Sequence, residues 1–176
     1  MTSIFTGFLF IFLDFTLNLG QVRLELIPDF IGYIIMLNGL RGMSGESRAF
    51  IKARPFAVFM AFYTGIVWLF DLLGSAVSYG PLSFILGIVS IIISFYISGK
   101  IVAGVMEMEQ HYYADFNGKS LNTAFIVLVI TGILSYLLLL VPALAVICLL
   151  VSFVAAICFL VAFNRSKNSY NNLVVP

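Results

Sequence analysis

Along the chain, long apolar runs alternate with short polar separators. An α-helix needs roughly 20 apolar residues to cross a bilayer, and six runs approach that length, at about 4–22, 24–40, 56–77, 81–100, 121–141 and 143–163. The stretch Arg41 to Arg54 (RGMSGESRAFIKAR) reads as a polar loop. It is closed by Pro55, a residue suited to the first turn of the helix that follows. Gly74 to Pro81 reads as a turn rich in Gly, Ser and Pro. Between Glu107 and Ser120 the pair Asn117-Gly118 is the expected helix stop, with Ser120 as the next N-cap. Only Val141-Pro142-Ala143 divides the last two runs. One helix over residues 121–163 would measure about 65 Å, twice the hydrocarbon thickness. The pattern therefore predicts a tight hairpin at Pro142. The expected architecture is all-α: a single integral membrane bundle of six transmembrane helices over residues 1–164, then a short polar cytoplasmic tail, 165–176.

Composition agrees with lipid as the solvent. Apolar residues make up 62% of the chain, charged residues 10%, and the mean hydropathy is +1.12. A soluble domain averages about 45–50% apolar and about 25% charged. A net charge of +1 provides no basic field for nucleic acid. The N-terminus MTSIFTGFLF has no Lys or Arg before its apolar stretch and no small-residue cleavage site, so it reads as a retained span. Cys148 and Cys158 stand ten residues apart, about 15 Å along a helix, too far for an intrachain disulfide.

Charge placement predicts orientation. With six spans and a cytoplasmic N-terminus, eight of the nine Lys and Arg fall inside, and Arg23 alone falls outside. Cationic loops resist translocation, so both termini are expected in the cytoplasm and the protein in the cell membrane. Helices in lipid associate through small residues. Such residues recur as Ser83, Gly87, Ser90, Ser94 and Ser98 in the fourth run, Ala57, Ala61 and Gly65 in the third, and Gly32 and Gly39 in the second. The sixth run adds Cys148, Ser152 and Ala156. These faces serve packing within the chain, or a seam to another membrane protein or a second copy.

Charges inside spans cost about 2.5–3.5 kcal/mol each on insertion scales, so their positions carry information. Asp14 lies in the first run and Asp71 in the outer third of the third. Pro28 is placed to start the second helix, with Asp29 in its first turn, which leaves only about 20 Å of helix before Arg41. The rest of that crossing is expected to be irregular chain, tolerated only inside protein or beside a wet cavity. An outward acidic recess follows, lined by Asp14, Asn18, Arg23, Glu25, Asp29 and Asp71, with Trp68 as an aromatic wall on the face it shares with Thr64, Asp71 and Ser75. Two readings fit it: a site for a cation, a proton or a small basic solute, or an Arg23–acid brace that fixes the loop.

Catalytic residues are not expected. His111 is the single histidine, and Glu107, His111 and Asp115 recur at steps of four. That spacing suits a metal or a solvated helix face, and the solvated face is the expectation. No phosphate loop or nucleophile–histidine pair appears, and neither metal nor cofactor is expected.

The segment Leu26-Ile27-Pro28-Asp29-Phe30-Ile31-Gly32-Tyr33, with Asn38-Gly39-Leu40-Arg41 after it, resembles one found in small multi-pass membrane proteins of Gram-positive bacteria. That resemblance spans about residues 10–45 and implies a bacterial plasma membrane, with no activity attached. The format is also similar to the substrate-binding membrane subunits of energy-coupling-factor vitamin transporters, by size and span count alone. The first run lacks that family's Ala-x-x-x-Ala pattern, and no vitamin-site motif is present. Two functions are thus expected: a small binding or transport-type membrane component, or a non-enzymatic partner that docks another membrane protein.

Overall fold

A computed structural model describes residues 1–12, 16–19, 22–25, 28–73, 81–137 and 142–174. Among them are six helices and one two-stranded hairpin, in the order α1 (Thr2–Phe12), β1 (Thr16–Leu19), β2 (Val22–Glu25), α2 (Asp29–Gly42), α3 (Arg48–Leu72), α4 (Pro81–Tyr112), α5 (Gly118–Leu137) and α6 (Pro142–Val174). The chain forms two compact units, Met1–Lys100 and Ile101–Pro176, with the boundary inside α4.

Among the described residues four helices, α3 to α6, are long and apolar enough to cross a membrane. The first two are not. With 11 and 14 residues, α1 and α2 measure about 16 and 21 Å, short of a hydrocarbon core of about 30 Å. The apolar run read as one helix to residue 22 is described as α1 over Thr2–Phe12 and strand β1 over Thr16–Leu19. The segment expected as irregular chain is an antiparallel hairpin, which adds a β element to the expected all-α class. Its register pairs Thr16 with Glu25, Leu17 with Leu24, Asn18 with Arg23 and Leu19 with Val22.

In the first unit α1 packs against α2, and α2 against α3. The α1–α2 seam is antiparallel and made by glycines. A Cβ on Gly7 would lie 2.7 Å from the Gly32 carbonyl oxygen and from Met36 Cβ, and one on Gly39 would lie 2.7 Å from the Ile4 amide nitrogen. Two backbones touch here with no side chain between them. Around the seam Ile4, Phe8, Tyr33, Met36 and Leu40 are buried, and Phe50, Ala53, Ala57 and Met60 of α3 close the core.

Helix α2 begins just after Pro28, whose extended backbone leads into a first turn carrying Asp29. Its last turn carries Arg41, so both ends complement the helix dipole. The loop to α3 is tightly bonded. Ser44 Oγ donates to the carbonyls of Arg41 and Leu40 at 2.7 and 3.0 Å, and Ser47 Oγ accepts from Ala49 N at 3.0 Å. Ser47 is thus the N-cap of α3, and Pro55 stands inside that helix, not at its start. Capping chemistry outweighed the proline signal.

In the second unit α5 packs against α6. The pair Asn117-Gly118, expected as a helix stop, instead opens α5. Helix α4 has already ended at Tyr112, and Tyr113 and Asn117 take left-handed backbone, with φ of 51° and 63°. Glu109 reaches across this turn, where its Oε1 accepts from Phe116 N at 2.9 Å and Gly118 N at 2.6 Å. The carboxylate fills the role expected of Ser120. Residues 165–174, expected as a tail, continue α6. Tyr170 holds that end down, because it is buried and packs edge-on against Phe116 and Tyr112. Pro81 and Pro142 begin α4 and α6, where the sequence signals put them.

Candidate functional site

The residues proposed to line a recess divide by what the structure describes. Asp14 and Ser75 lie outside the described residues. Asn18, Arg23 and Glu25 sit on the hairpin, and their backbone register is defined. Asn18 and Arg23 are directly opposed, and Glu25 opposes Thr16. Successive strand positions belong to opposite faces, so these four polar positions share one face and Leu17, Leu19, Val22 and Leu24 the other. Strand β2 runs against α3.

Asp29, Trp68 and Asp71 belong to the same unit. The Trp68 ring meets Phe30 edge-on at 5.6 Å, and Phe30 also covers Gly65, where a Cβ would stand 3.7 Å from its ring. Asp29 precedes Phe30, and Asp71 follows Trp68 by three residues on α3. One aromatic contact is thus flanked by two half-buried carboxylates. The Thr64 hydroxyl is engaged within its own helix, where Oγ1 donates to the Met60 carbonyl at 2.8 Å.

A groove of 600 Å³ adjoins this arrangement between α2 and α3. Phe30, Ile34, Gly65 and Leu69 form its apolar length, and Asn38 and Arg41 its polar end. Neither Asp29 nor Asp71 lines it.

Several packing candidates meet partners inside their own unit. Gly32 and Gly39 form the α1 seam, Ala57 is buried, and Ser94 Oγ shares a hydrogen bond of 2.8 Å with Tyr33 Oη. Ser98 is buried and donates to the Ser94 carbonyl. Ala61, Gly87 and Ser90 are half-buried, and Ser83 lies on the first turn of α4. In the second unit Ser135 donates to the Thr131 carbonyl at 2.8 Å. Its hydrogen is therefore committed, and Ser152 is the donor in the 2.9 Å Ser152–Ser135 bond that joins α6 to α5.

The Glu107, His111 and Asp115 spacing ends with its helix. Asp115 lies beyond Tyr112, and its carboxylate accepts from Asn117 N at 2.7 Å. Among the described residues no group of three His, Cys, Asp or Glu is placed to hold a metal ion. Lys100 reaches back over the Tyr96 ring, 5.3 Å from its centre.

Three residues that organise these units had not been singled out: Gly7, Glu109 and Tyr33. Gly7 stands four residues after Ser3, a small-residue spacing that was there to be read. Glu109 bonds partners seven and nine residues away across a turn, and no local rule flags such a pair. No family model, curated protein or solved structure matches the chain.

Proposed function

We propose that this is a multi-pass, non-catalytic membrane component that binds a small cation or cationic solute at its outer face. In this reading the chain crosses six times with both termini in the cytoplasm. The first two crossings are each half helix and half strand. Helix α1 supplies about 16 Å, and strand β1, Thr16–Leu19, adds about 13 Å at roughly 3.3 Å per residue.

The observation that carries the reading is the hairpin. Two strands pair only along their shared edge, so both outer edges keep unpaired N–H and C=O groups. Each such group costs several kcal/mol in hydrocarbon. The hairpin therefore calls for water or protein around it, which supports a wet recess beside α3. Asp29 and Asp71 give that recess its sign, and Trp68 supplies a ring face of the kind that attracts cations.

The test is thermal unfolding of the detergent-purified protein with sodium, potassium, magnesium or tetramethylammonium chloride. One of these should raise the unfolding midpoint of the native chain, with Asp71→Asn abolishing the rise while still accumulating in membranes. No rise with any of the four, or an equal rise in Asp71→Asn, would contradict the reading.

A further inference from the structure

The second unit contains a groove of 760 Å³ between α5 and α6 whose two ends differ in chemistry. Lys119, Arg165 and Asn117 stand at one end, with the hydroxyl residues Ser120 and Thr123 beside them. Antiparallel packing then carries the lining down Ala124 of α5 and along Val161 and Ile157 of α6. Arg165 and Ile157 are eight residues apart on one helix, about 12 Å. Val161 and Ile157 are exposed, on a helix apolar enough to lie in a membrane.

The polar end is short of negative charge. Asp115 is the one acid in the lining, against two cations, and it already accepts from Asn117 N. Two cations against one acid select an anion. The apolar length below them selects one with a hydrocarbon chain, which free phosphate lacks.

We propose that this groove binds one anionic phospholipid, its phosphate at Lys119 and Arg165 and an acyl chain along Ala124, Val161 and Ile157. The site is separate from the acidic recess and stands or falls without it.

Native mass spectrometry of the detergent-released protein tests the proposal, with phosphatidylglycerol or phosphatidylcholine of identical chains added. The native chain should retain one phosphatidylglycerol in preference to phosphatidylcholine. The double variant Lys119→Gln, Arg165→Gln should hold it roughly tenfold less well. Asp115→Asn keeps the oxygen that accepts from Asn117 N and removes the opposing charge, so it should retain more. Val161→Trp fills the groove at an exposed position while both cations are retained, and should lose the lipid even if the double variant fails to accumulate. Arg48→Gln, in the other unit, should change nothing. Equal retention of the two lipids, full retention by Val161→Trp or the double variant, or displacement by equimolar inorganic phosphate would each overturn the proposal.

Discussion

Gly7, Gly32 and Gly39 set the distance between α1 and α2. Each approaches backbone of the opposite helix so closely that a methyl group has nowhere to go. A Cβ on Gly32 would lie 2.9 Å from the Gly7 carbonyl oxygen, and the Gly39 and Gly7 clashes at 2.7 Å also involve main-chain atoms. Side-chain rotation cannot relieve such contacts, so the helices themselves must part. Each of Gly7→Ala, Gly32→Ala and Gly39→Ala should cost about 1–3 kcal/mol, read as a lower unfolding midpoint in detergent. Gly42→Ala is the matched control. It lies in the last turn of the same helix with open space around its Cβ, and should be neutral or slightly stabilising. Gly32 and Gly39 were legible from their heptad spacing. Gly7 carries only the weaker signal of its four-residue spacing from Ser3.

The elements were read with uneven success, for physical reasons. Prolines that start helices announce themselves, because the missing N–H is harmless in a first turn, and Pro81 and Pro142 behaved so. Pro55 did not, since Ser47 had already capped the helix eight residues before it. The hairpin had a signal of its own. Thr16-Leu17-Asn18-Leu19 and Val22-Arg23-Leu24-Glu25 both alternate with period two, two residues apart, a pattern that marks paired strands. Averaging hydropathy over a span-length window erased that alternation. The start of α5 was hidden differently, because its cap comes from Glu109 on another helix. Glu109→Ala strips acceptors from Phe116 N and Gly118 N, and should cost about 1–2 kcal/mol. Hydrogen exchange should localise the loosening to the 113–121 region, leaving the first unit at native protection. Uniform loosening of both units would contradict this role.

Each unit carries exposed apolar residues on its long helices. Phe62, Ile66 and Leu69 on α3, Ile92 on α4, Ile130 on α5 and Leu150 on α6 are all exposed. Buried residues include Leu40, Met43, Ala49 and Phe50 around the Arg41–Arg54 loop and Met108, Phe116 and Leu121 around the Glu109–Gly118 turn. In the proposed orientation, read from where the cations sit, the hairpin and the loop after α2 lie on opposite sides of the bilayer. Single cysteines in a background of Cys148→Ser and Cys158→Ser test that directly. Intact cells are treated with a membrane-impermeant maleimide. The proposal predicts that Asn18→Cys is labelled at once, and that Gly45→Cys, at an exposed loop position, reacts only after the membrane is opened. Labelling of Gly45→Cys in sealed cells, with Asn18→Cys silent until lysis, would contradict it.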